Sequence, residues 1–133
     1  MSFSPSRLSV ARKRRQLKQK AFAELMDIST VTVSRWETGL SVPTISNLRA
    51  FSEVLGFPPE FFEAPEVEEP EAFITSFRSQ TTMSASVRDA ALAAGAIGFE
   101  ISDWVESRFT LPQPSLPDLS DNEPEAAAVV LRQ

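Results

Sequence analysis

The sequence predicts an all-α protein: five short helices forming one domain over residues 1–64, a linker, and a helical C-terminal region with one long helix. Three observations carry that expectation. Apolar residues recur at the 3.6-residue helical period in successive segments of the first half of the chain. Residues that cap and break helices, Ser29, Gly39 and Gly56, stand between those segments. Finally, residues 90–99, AALAAGAIGF, run for ten positions without a charge inside the longest helical pattern of the chain.

The elements follow in order. A first helix is expected over residues 6–16, with Leu8, Ala11 and Arg15 on one side. A second spans 19–26 and turns Phe22, Ala23 and Met26 inward, and Asp27 and Ile28 form the turn after it. Ser29 is a good N-cap for a third helix reaching Thr38, where Gly39 supplies the left-handed C-terminal residue. Past LSVP, a fourth helix begins near Thr44, carries Ile45, Leu48, Phe51, Ser52 and Leu55, and ends at Gly56. The prolines of PPEFFEA suit a first turn, so a fifth, short helix is expected there, with Phe61 or Phe62 closing the core.

Residues 65–83 read as an acidic linker and docking segment. The stretch 64–72 is proline-bounded and acidic, whereas Phe73, Ile74 and Phe77 are too apolar for a free linker and are expected to dock. Residues 84–133 form the helical C-terminal region. Ser84 or Ser86 caps a long helix to about Phe109, whose alanines and glycines permit close approach of a partner backbone. Either that helix packs on the head domain, or it is a dimer interface using Ile97, Ile101, Trp104 and Val105, with Trp104 as aromatic anchor. LPQPSLPDL is then extended, and Asp121 or Asn122 caps a last helix running to Gln133.

Composition excludes several functions. With no histidine and no cysteine, the chain has no HExxH zinc site, no Ser-His-Asp triad, no thiolate metal site and no disulfide framework. No convergent carboxylate pair replaces them, so neither enzymatic activity nor a cofactor is expected. There is no apolar run long enough to span a membrane and no secretory signal pattern, which points to the cytoplasm. The net charge of -5 hides a division: residues 1–56 carry nine Lys/Arg against four acids, +5, while residues 57–133 carry four against fourteen, -10. Only the head favours a polyanion; the acidic half is a candidate surface for a protein partner.

A helix, a three-residue turn and a capped helix, preceded by a basic helix, form the helix-turn-helix signature. Ile28, Val33 and Trp36 fix the third helix to the core, so its outward side presents Thr30, Val31, Ser34, Arg35 and Thr38. An arginine there can donate two hydrogen bonds to guanine O6 and N7, and Val31 and the threonine methyls can touch thymine. Phosphate contacts are expected from Gln19 at the start of the second helix, from Lys18 and Lys20 beside it, from Arg14, and from Thr44 and Asn47 across the groove.

The residues LKQ at 17–19, FAELMDIS at 22–29, VSRWETG at 33–39 and the helix ending FSEVLGF resemble the XRE/Cro-type helix-turn-helix family over roughly residues 6–63. The resemblance implies a five-helix DNA-binding head in which Arg12 and Glu37 form a structural ion pair. The remainder, from FITSFRSQ to the end, resembles the segment that follows the head in ImmA/IrrE-type proteins, whose zinc peptidase domain has no counterpart here. The expected function is a cytoplasmic, phage- or mobile-element-type transcriptional repressor that places residues 29–38 in the major groove of a double-stranded DNA operator, as a homodimer or as a monomer. The rivals are an antitoxin-type autoregulator that binds a protein toxin, and the N-terminal fragment of a zinc-dependent anti-repressor protease.

Overall fold

The computed structural model describes residues 3–68 and 83–112. Among them α1 (Pro5–Arg14), α2 (Gln19–Leu25), α3 (Thr30–Glu37), α4 (Ile45–Leu55), a 3-10 turn (Pro59–Glu63) and α5 (Ala85–Arg108) follow in order, with no strand. The described residues are all-α, as the sequence pattern predicts. The fifth short helix is a 3-10 turn instead, because only five residues lie between Pro58 and the extended Ala64. The expectations for Phe73, Ile74, Phe77, the extended stretch past Pro112 and the last helix lie outside the described residues.

Each helix end has an identifiable cause. Ser29 accepts the Thr32 N–H at 3.1 Å and caps α3; Thr44 accepts the Asn47 N–H at 3.3 Å and caps α4. Gly39 and Gly56 take the left-handed conformation, at φ +71° and +66°. Two further left-handed residues carry side chains. Gln16 and Asp27, at φ +58° and +52°, end α1 and α2 in the same way. The Gln16 N–H donates to Lys13 O at 2.8 Å and the Leu17 N–H to Arg12 O at 3.1 Å. The Asp27 N–H donates to Glu24 O at 3.2 Å and the Ile28 N–H to Ala23 O at 3.0 Å. In both Schellman turns the next residue, Leu17 or Ile28, folds back onto the core.

That core is aromatic and centres on Phe51, which meets Phe22, Trp36 and Phe62 at centroid distances of 5.8, 5.4 and 5.6 Å. Leu8, Ala11, Ala23, Val33, Leu48 and Leu55 complete it, and Phe61 packs at its edge. Ile45 does not join, being 62% exposed. On a helical wheel Leu48, Phe51 and Leu55 share one direction, and Ile45 lies about 90° round from it.

The chain forms two compact units, Met1–Asp103 and Trp104–Gln133. In the first, α1 serves two cores. Leu8 and Ala11 face the head, while Val10 faces Val67, Ala93 and Ala96, with Ile97 beside them. The alanines of α5 therefore pack on the protein's own first helix. Phe99 and Ile101 remain 60% and 59% exposed. Arg7, 5% exposed, joins the pieces: its Nε donates to the Pro65 carbonyl, both terminal nitrogens donate to Glu100, and its guanidinium lies 5.0 Å from the Phe61 ring centroid. Residues 65–67 also close the α1 N-terminus. Glu66 accepts the Ser6 N–H at 2.9 Å, and the Val67 N–H donates to Ser6 Oγ at 2.8 Å. Burial alone would raise the Glu66 carboxyl, but hydrogen bonds from Ser6 and Ser4 and the nearby Arg7 outweigh it and hold the group below its ordinary value. In the second unit Trp104 is half exposed, edge-on to Phe109 at 6.4 Å and covered by Arg108 at 4.8 Å; Val105 is half-buried.

Candidate nucleic-acid interface

The geometry of α3 begins with what holds it down. Val33 and Trp36, one turn apart, are 0% and 4% exposed and bury one stripe of the helix. Its last residue, Glu37, is tied to α1 by the Arg12 guanidinium, Nε to Oε1 at 2.6 Å and Nη2 to Oε2 at 3.0 Å. Arg12 also donates to the Leu17 carbonyl at 2.6 Å, and the Gln19 side-chain amide donates to Glu37 Oε2 at 2.8 Å. One carboxylate thus fixes the end of α1, the start of α2 and the end of α3. Both charged side chains are below 10% exposed, so water competes little for them.

With that stripe anchored, the opposite stripe faces outward. Thr30, Val31, Arg35 and Thr38 are exposed and Ser34 is half-buried. Val31 is 67% exposed, unusually open for an aliphatic side chain. The Thr38 hydroxyl donates to Ser34 O at 2.8 Å, which leaves its methyl and oxygen lone pairs outward. Among the described residues the Arg35 guanidinium makes no hydrogen bond or ion pair, so all five donors are available. A rigid helix carrying an unpaired arginine beside an apolar side chain matches the base-edge chemistry of a major groove, which is wide enough for such a helix.

The basic residues divide into two sets. Arg7 and Arg12 are buried and spent internally, whereas Arg15 is exposed and folds back along the head surface, donating to Leu55 O at 2.6 Å and lying 5.4 Å from the Phe57 ring centroid. Lys13 is also engaged. Arg14, Lys18, Lys20 and Arg49 are exposed and without an ion pair. Gln19 sits at the first position of α2, with its side-chain amide turned toward Glu37. A phosphate contact there rests on the backbone N–H and the remaining amide hydrogen. Thr44 is exposed at the α4 cap, and Asn47 is half-buried in its first turn. Arg49 was legible only as part of the basic count; its exposure is what adds it to the set of outward cations.

Comparison with known families returns one model, described as helix-turn-helix, over residues 8–62. Neither curated proteins nor solved structures give a significant match. The matched span runs from α1 through the 3-10 turn and contains the capped α3, its anchoring stripe and the Arg12–Glu37 pair. Residues 8–62 are a helix-turn-helix domain of the XRE type, a DNA-binding fold.

Proposed function

We propose that the protein is a sequence-specific double-stranded DNA-binding regulator of the phage or mobile-element type, acting in the cytoplasm as a transcriptional repressor. It inserts α3 into the major groove of an operator and represses by excluding polymerase. The observation that carries this reading is the unpaired Arg35 on a helix immobilised from its other side. Arg35 reads a guanine, Val31 and Thr30 contact neighbouring bases, and Lys18, Lys20, Arg14 and the α4 N-terminus grip phosphates. One head makes few base contacts, so occupancy at useful affinity calls for two heads on one operator. On this reading the protein is a binding protein, and the acidic half and its resemblance to ImmA/IrrE-type segments supply a regulatory surface rather than chemistry.

The test is fluorescence anisotropy with DNA from upstream of the protein's own gene, with random-sequence competitor, for wild type and Arg35→Ala. Saturable binding should survive competitor, and Arg35→Ala should lose about 1–3 kcal/mol of discrimination at one base pair. Weak binding indifferent to both sequence and Arg35 would reduce the head to electrostatic attachment and end this reading.

A further inference from the structure

Beside α5 lies a cleft to which none of residues 8–62 contributes. Ala96, Phe99, Glu100 and Asp103 share one stripe of the helix, at spacings of three and four. The chain at 66–68 passes alongside, held by the Val67 N–H bond to Ser6 and by the packing of Val67 with Ala93 and Ala96. Together they line a cleft of about 420 Å³, within the size range of binding pockets. Val67 and Ala96 are buried and give it an apolar floor, while Phe99 next to them is 60% exposed. Four carboxylates surround that apolar ground: Glu66, Glu68, Glu100 and Asp103. Arg7 takes up Glu100, and Glu66 accepts the Ser6 N–H. Glu68 and Asp103 are exposed, and among the described residues neither carboxylate has an ion pair or a hydrogen bond.

We propose that this cleft docks a cationic segment of a protein partner, one that presents apolar side chains between arginines. Charge selects the occupant. Carboxylates along both sides of the cleft repel a nucleic-acid backbone. A twofold contact with a second copy would set each acidic rim against its own image. A cationic segment meets the opposite sign, and Glu68 and Asp103 are open to it. The exposed ring favours arginine over lysine. A guanidinium stacked on Phe99 can reach the Asp103 carboxylate one helical turn away, which combines a cation–π contact with a forked hydrogen bond. An apolar side chain beside that arginine then covers Val67 and Ala96. Because the site lies outside the helix-turn-helix, it needs no DNA contact to work.

The test titrates the full chain, followed by amide NMR and calorimetry, with a short synthetic peptide of alternating arginine and leucine. Arginine–serine and glutamate–leucine peptides are the controls. The arginine–leucine peptide should bind with Kd on the order of 10⁻⁵ M and move amides at 66–68 and 96–103. The arginine–serine peptide should bind at least about fivefold more weakly, and Phe99→Ala should weaken the first peptide about tenfold. The double variant Glu68→Lys, Asp103→Lys should lose it by more than about tenfold and take up the glutamate–leucine peptide instead. Binding that ignores Phe99 and the charge reversal, equal binding of the arginine–serine peptide, or shifts confined to other residues overturns the proposal. So does a fall of more than about 4 °C in the unfolding midpoint of Phe99→Ala, which would mean that the protein's own chain covers this face. Shifts that move on dilution before any peptide is added would assign the face to a second copy and overturn it as well. None of these outcomes changes the anisotropy result, so the DNA-binding reading is judged separately.

Discussion

Replacing Glu37 by alanine should cost the head roughly 3–4 kcal/mol of stability, and the size of that loss follows from the bonds it removes. The carboxylate accepts two hydrogen bonds from Arg12 and one from Gln19, all between 2.6 and 3.0 Å. Removing it leaves the Arg12 cation, 7% exposed, with only the Leu17 carbonyl as partner. A stranded charge of that kind costs about 3–5 kcal/mol, and the lower part of the range applies because the pair lies near enough to the surface to be partly rehydrated. For a domain of this size the midpoint of thermal unfolding should fall by roughly 12–32 °C. Circular dichroism melts and urea titration of Glu37→Ala, Arg12→Leu and the double variant Arg12→Leu, Glu37→Leu measure it. The double variant should recover at least half of the loss, since replacing both partners removes the stranded charge. A loss below about 1 kcal/mol in Glu37→Ala, or additive losses in the double variant, would refute the assignment of this pair as the tie between α1 and α3.

Three further outcomes test other parts of the structure. Phe51→Ala empties the centre of the aromatic core and should cost about 3–5 kcal/mol, read by urea unfolding. Glu66→Gln should lower stability by about 0.5 kcal/mol at neutral pH, the value for a solvent-screened anion at a helix N-terminus. Because the folded-state value of Glu66 is lowered, its contribution is complete above its ordinary 4.5 and is lost as pH falls through the lowered value, so the two proteins should converge in acid. Salt titration of specific binding should give a slope of log K against log salt no steeper than about -4 per head, because only Arg14, Lys18, Lys20 and Arg49 are left for phosphates; all nine basic residues acting together would give about -8.

The parts of this fold legible in the sequence are those set by neighbours along the chain. Ser29 and Thr44 cap helices that begin one residue later, and Val33 and Trp36 announce an anchored stripe because a helix brings residues three apart onto one face. Gly39 and Gly56 declare their turns. Asp27 was legible as the turn after the second helix, but Gln16 was not, since a long polar side chain in the left-handed region leaves no compositional mark. Ile45 looked interior because the helical period places it near the stripe, and only the direction of the core shows that it lies on the rim. Arg7 and Arg15 were counted with the cations of the head because their partners, Glu100, Pro65 and Leu55, are 40 to 93 positions away. Contacts at such separation are set by tertiary packing, which no local pattern encodes.

That division of the arginines changes what the charge of the head means. A net +5 spread over a basic helix suggests a surface that clings to any polyanion. Packing instead withdraws Arg7 and Arg12 into the scaffold and folds the exposed Arg15 back along it, and each fixes one junction: α1 to α5, α1 to α3, and α1 to the end of α4. The cations that remain outward and unpaired are few, and one of them, Arg35, stands on α3, which Val33, Trp36 and Glu37 hold to the scaffold. On the function proposed above, fewer phosphate contacts would weaken attachment to arbitrary DNA, while a rigid Arg35 would keep its full preference for the right base. On that reading the ratio of specific to non-specific binding would rise as basic residues are drawn inward, and it is this ratio, more than affinity, that lets a regulator find one operator among many sites.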